Sequence, residues 1–124
     1  MKELIQSFWK CIDEADFDGL RALMAPDAAV YLPNTREVID RCEKYITFNK
    51  RYPGRWRAAV ERLHVCGSTA VSCVKVTEQS GETSLYVTSF FEIQNGKIIK
   101  IHEYWGENGD PPQWRQEDTL TQRY

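Results

Sequence analysis

The chain has 124 residues, of which 42 % are hydrophobic and 27 % charged, and its formal net charge is −2. That length suits one domain with a single core, and the composition is that of a folded protein rather than a disordered one. Acidic and basic residues are interspersed, so the basic stripe of a nucleic-acid binder is missing, and no apolar run approaches the roughly 20 residues needed to cross a bilayer.

The N-terminus, Met1-Lys2-Glu3-Leu4, carries an acid early and runs straight into a helix pattern, so no signal peptide is expected and the predicted location is cytoplasmic. Leu4, Phe8 and Ile12, with Ile5 and Trp9 beside them, form one apolar stripe on a helix over residues 2–14. Asp16 suits the N-cap of a second short helix carrying Leu20, Leu23 and Met24, which Pro26-Asp27 ends. Ala29-Val30-Tyr31-Leu32 is β-prone and predicts a short strand at a sheet edge. Asn34-Thr35-Arg36-Glu37 has capping-box spacing, which predicts a third helix running to about residue 50 with Val38, Ile39, Cys42, Tyr45 and Ile46 inward.

Strands are predicted over 56–65, 70–78, 85–93 and 97–105, with Asn95-Gly96 the strongest hairpin signal because that pair tolerates positive φ. After Glu107 the chain turns polar and rich in Gly and Pro; an irregular tail over 108–124 is expected, anchored by Trp114. The predicted fold is α+β, helices followed by an antiparallel meander, with residues 1–107 as the domain. The four cysteines, Cys11, Cys42, Cys66 and Cys73, have no metal-ligand spacing with the two histidines, His64 and His102. They read as reduced thiols, and neither metal nor cofactor is expected.

The element order, with Asp16-Phe17-Asp18-Gly19-Leu20 and Asn95-Gly96-Lys97-Ile98-Ile99 through Glu103-Tyr104-Trp105, resembles the nuclear transport factor 2-like superfamily, and within it the SnoaL-like branch. The resemblance implies a cone, in which a curved sheet wraps N-terminal helices around a pocket for a small apolar molecule. Members include isomerases, polyketide cyclases, epoxide hydrolases, dehydratases and non-catalytic binding domains, so the fold leaves the function open. Phe8, Leu32 and Ser89 stand where ketosteroid isomerases place an oxyanion-hole tyrosine, a base aspartate and a protonated aspartate. A phenyl ring and an isobutyl group cannot take or give a proton, so that mechanism is not expected here.

The resemblance also places Trp105 in the pocket. Strand alternation then puts Ile101 and Glu103 on the same face, and His102 and Tyr104 on the other. Val87, Ser89 and Phe91 follow on the neighbouring strand, Ser72 and Val74 on the next, with Val30 and Leu32 from the first strand and Phe8 and Ile12 from the first helix. Glu103 is the candidate acid/base, since burial raises a carboxyl pKa, and Ser89 the candidate hydrogen-bond donor. Glu107 is the alternative acid. Tyr31, Asn34 and Arg36 form a candidate polar end, where Arg36 suits a carboxylate.

Two functions are carried forward. One is cofactor-free acid/base chemistry on an apolar carbonyl or cyclic compound. The other is a non-catalytic ligand-binding or dimerisation domain. The resemblance further implies a homodimer through the outer sheet face.

Overall fold

The computed structural model describes residues 1–117 and 120–124. It shows α1 (Lys2–Glu14), α2 (Phe17–Leu23), β1 (Met24–Leu32), β2 (Glu37–Ile39), α3 (Cys42–Arg51), β3 (Trp56–Cys66), β4 (Thr69–Glu78), β5 (Ser84–Gln94), β6 (Lys97–Glu107) and α4 (Gln113–Gln116). Six strands form one mixed sheet in the order β2-β1-β6-β5-β4-β3. The last four make the antiparallel meander, and β1 joins β6 in parallel. Among the described residues no helix is long and apolar enough to cross a membrane.

The helices form for local reasons. Ile5, Phe8 and Trp9 put one apolar stripe of α1 into the core. Ala15 closes α1 in a left-handed conformation (φ 56°), returning its N–H to the last turn. Asp16 then caps α2 by accepting the Gly19 N–H at 3.0 Å. The cap lies so close that a Cβ on residue 19 would sit 2.4 Å from the Asp16 carboxylate, so a larger residue there would push the capping side chain aside. Asn95 and Gly96 both take positive φ (53° and 73°) and make the tight β5–β6 turn.

Three expectations are corrected. Residues 34–37 do not start a helix. Leu32 and Pro33 carbonyls accept the Thr35 and Arg36 N–H groups in a turn, Arg36 is left-handed (φ 58°), and Glu37 begins β2. The Glu37 carboxylate takes the Thr35 hydroxyl at 2.6 Å, and Asn34 Oδ1 accepts the Trp105 N–H at 3.2 Å, so neither side chain is free to cap. α3 starts only at Cys42, and Val38 is 53 % exposed. Second, β1 is longer than expected and is not at an edge. Pairing with β6 on one side and β2 on the other recruits Met24 to Ala28, and a register shift between Met24 and Ala29 absorbs Pro26. Third, Trp114 anchors nothing: it is 65 % exposed on the single turn of α4, its ring facing the Arg115 guanidinium.

The core fills the narrow end of the cone. Phe8 packs edge-on to Trp9 and Phe91, each at 5.1 Å between ring centres, with Val30, Ala70, Ile98 and Ile101 closing around them. Burial of such side chains from water, worth about 1.5–3 kcal/mol each, is what holds the helices against the sheet.

Candidate functional site

Strand register sorts the inner face into rows. Val30, Ile101, Phe91 and Ala70 lie side by side and are sealed. The next row is polar: Glu103 on β6 lies opposite Ser89 on β5, Ser89 opposite Ser72 on β4, and Ser72 opposite Leu63 on β3. Beyond it come Trp105, Val87, Val74 and Val60. A cavity of about 400 Å³ opens at the polar row and widens toward the open end of the cone. That volume falls in the range of about 300–1,000 Å³ typical of small-molecule sites.

The helices roof this row from above. Trp9 of α1 donates its indole N–H to Ser72 Oγ at 2.9 Å. Tyr45 of α3 donates its hydroxyl to Glu103 Oε1 at 2.8 Å. Ser89 Oγ is fully buried and has no hydrogen-bond partner among the described residues, although it faces Glu103 directly across the strands. Glu103 itself is half-buried, because one flank faces the cavity and protein surrounds the rest. Burial pushes its carboxyl pKa above the ordinary value of 4.5, and the Tyr45 hydrogen bond offsets part of that rise. Tyr45 is driven well above the usual tyrosine range by burial, by the adjacent carboxylate and by the bond it donates. Tyr45 therefore keeps its proton, and Glu103 is the group of the pair that can exchange one.

Of the residues singled out from sequence, Glu103, Ile12, Leu32, Val87 and Trp105 line the cavity. Phe8, Val30, Ser72, Val74, Ser89, Phe91 and Ile101 lie at 0 % exposure in the core behind that lining. Phe8 reaches the inner face from α1 and the others from strands, and alternation along a strand cannot tell a row filled by Phe8 from a row left open. Glu107 is exposed at the end of β6. Tyr31 sits on the outer face, stacked on His102 at 4.6 Å, and Arg36 is exposed and outside the cavity lining, so these two do not form a polar end.

The lining residues that sequence reasoning missed include six aromatics. Trp9, Phe17, Tyr45, Phe48, Tyr52 and Trp56 line the cavity, with Asn49, Lys50 and Arg55 among them. Tyr45, Phe48, Asn49 and Tyr52 recur at three- and four-residue spacing, so one face of α3 was a legible signal for a wall. Among the described residues no group of three or more His, Cys, Asp or Glu side chains converges as a metal site would require.

This α+β arrangement, N-terminal helices packed on a six-stranded mixed sheet, is the fold of the class to which the SnoaL-like proteins belong. Residues 5–101 match the model of the SnoaL-like domain, and this chain belongs to that family. Among solved structures, a candidate ketosteroid isomerase from Kribbella flavida DSM 17836 is 29 % identical, with a TM-score of 0.86 over 99 % of this chain and 88 % of that one. An NTF-2-like protein of unknown function from Burkholderia xenovorans LB400 is 21 % identical (TM-score 0.82, 98 % and 93 % covered). An epoxide hydrolase of M. tuberculosis, described as LEH-like, is 17 % identical (TM-score 0.73, 85 % and 81 % covered). Likenesses this distant show the shared cone and leave the chemistry open. No curated protein sequence matches this chain.

Proposed function

We propose that the chain binds a small apolar carbonyl or cyclic compound in this cavity and moves a proton on it without a cofactor, with Glu103 as acid/base. The observation that carries this is a carboxyl of raised pKa on the cavity wall, held through one oxygen by Tyr45. Tyr45 occupies Oε1, while Oε2 has no hydrogen-bond partner among the described residues. Ionised Glu103 takes a proton from the carbon next to a carbonyl, and the electron pair of that C–H bond moves into an enolate. Returning the proton at a second carbon completes an isomerisation; returning it instead to a β-hydroxyl, which leaves as water while the enolate electron pair forms the C=C bond, gives a dehydration. Ser89, opposite Glu103 in register and without a partner, is the reserve donor to the carboxylate. The apolar lining, here Ile12, Leu32, Val87 and Trp105, keeps water from quenching the enolate.

The test does not need the natural substrate. A panel of cyclic ketones and enones is incubated with the protein in D2O, and deuterium uptake at the α-carbon is followed by mass spectrometry. Exchange by the wild type that is lost in Glu103→Gln supports the proposal. Binding without exchange across the panel supports the second function, a non-catalytic ligand-binding domain. That alternative is favoured by Phe8, which offers only a hydrocarbon ring sealed against Trp9, Phe91 and Tyr45.

Two further assignments belong to this proposal. The outer sheet face exposes Tyr86, Phe90 and Tyr104, with Phe90 and Tyr104 in edge contact at 6.0 Å, and this is the face through which a homodimer would form. The four cysteines are free thiols, which suits a reducing, cytoplasmic setting.

A further inference from the structure

The cavity is not uniformly apolar; its polar groups are divided between its two ends. Glu103 lies at the inner end. Four residues further along β6, roughly 13 Å at the rise of a strand, Glu107 pairs with Leu85, which faces Val76, which faces Ala58. Arg55 precedes Ala58 by three residues and lines the cavity at that far end. Lys50, at the end of α3, lines it as well.

Arg55 is held in place, and among the described residues no acid forms an ion pair with it; the Asp13 carboxylate feels its charge but bonds Arg57 instead. Its two terminal nitrogens donate to main-chain carbonyls, Nη2 to Asp13 at 2.6 Å and Nη1 to Trp56. Its backbone is pinned in turn, its carbonyl accepting the Gln79 N–H at 2.7 Å. The nearby carboxylates are committed elsewhere. Asp13 pairs with Arg57 at 2.8 Å and takes the Ala58 N–H. Glu78, beside Gly54, accepts from the Ser80 N–H at 2.7 Å and from its hydroxyl. Glu37, the other acid on the lining, holds the Thr35 hydroxyl. Among the described residues neither Arg55 nor Lys50 has a carboxylate within ion-pair distance. A half-buried guanidinium that is fixed by carbonyls and keeps spare N–H groups is a ready receptor for an anion.

We infer that the ligand of this cavity is amphipathic: a body of about two rings whose distal end bears a carboxylate or similar anion seated on Arg55 and Lys50. This rests on the cavity being the ligand site, as proposed above. The reacting carbon then lies at the uncharged end, beside Glu103. The anion thus fixes which end of the ligand enters first.

Isothermal titration calorimetry near pH 7.5 with biphenyl-4-carboxylate and its uncharged isostere, biphenyl-4-carboxamide, tests this on the full chain. The carboxylate is expected to bind at least tenfold more tightly in the wild type. Added sodium chloride should weaken the carboxylate and leave the amide unchanged. Arg55→Gln should bring the two ligands to equal affinity. Because Arg55 also ties down the end of α1, Lys50→Gln, an exposed change, provides a second variant, and it should narrow the gap several-fold. Equal or tighter binding of the amide by the wild type overturns the anionic end while leaving the cavity as a ligand site. Binding of neither compound counts against the cavity itself, and this inference falls with it.

Discussion

Ser72 and Ser89 are chemically identical, face each other across β4 and β5, and are both 0 % exposed. Replacing each by alanine should nevertheless move stability in opposite directions. Ser72→Ala removes the acceptor of the Trp9 indole N–H and strands that donor beneath a helix. A buried donor left unpaired costs about 1–3 kcal/mol, and partial access through the cavity places this one near 1–2 kcal/mol. Ser89→Ala removes a hydroxyl that has no partner to lose. The desolvation already incurred by that hydroxyl, about 1–2 kcal/mol in protein terms, is recovered. For a chain of this size one kcal/mol shifts Tm by about 3–5 °C, so the two variants should melt roughly 6–20 °C apart on opposite sides of the wild type. Calorimetric melts, with urea titrations to confirm an unchanged slope, measure this. If both substitutions destabilise by similar amounts, the Ser89 hydroxyl is bonded in solution and the polar row is wired differently from the description above.

Three other outcomes are expected. Because burial raises the Glu103 pKa in the folded state, the stability tied to its proton is complete below the unfolded value of 4.5 and is lost as pH rises through the folded value. Glu103→Gln, which mimics the protonated acid, should therefore exceed the wild type in Tm at about pH 8 and converge with it near pH 4; a constant offset would show an unperturbed carboxyl. Asp13 behaves in the opposite sense: the Arg57 hydrogen bond, aided by the Ala58 N–H, lowers its pKa from 3.8 to about 2, against some burial. Its contribution is present above the unfolded value and lost as pH falls through about 2. Asp13→Asn should cost about 1 kcal/mol near neutral pH, discounted for solvent at a partly exposed pair, with the gap closing in acid denaturation curves. Finally, light scattering on a sizing column should give twice the 14.5 kDa chain mass for the wild type and the monomer mass for Phe90→Lys combined with Tyr104→Lys. A monomeric wild type would remove the dimer.

Local signals in this chain were strong where neighbouring residues decide. The stripe from Leu4 to Ile12, the Asp16 cap, the Asn95-Gly96 turn and the alternation through Ile101, Glu103 and Trp105 all agree with the observed elements. They failed at residues 34–37, where capping-box spacing lost to one distant contact, the Trp105 N–H on Asn34, and to a tight turn that pairs Glu37 with Leu32. They failed again at Met24 to Ala28, where β6 supplies hydrogen-bond partners from more than 70 residues away. Short-range propensity is weak enough for such pairings to override it.

The sequence alone determined the two faces of the sheet, because side-chain direction along a strand repeats every two residues and depends on nothing further away. It thereby put an acid inside the cone. Tertiary packing decided the rest: Phe8 fills the row shared by Phe91 and Ile101, while Glu103 and Trp105 of the next two rows line a cavity beneath α3. It also brought Tyr45 from 58 residues away to hold that acid, and Arg55 to the far end of the cavity. Whether an inward row becomes core or cavity depends on the volume of what is packed over it, and no strand carries that information.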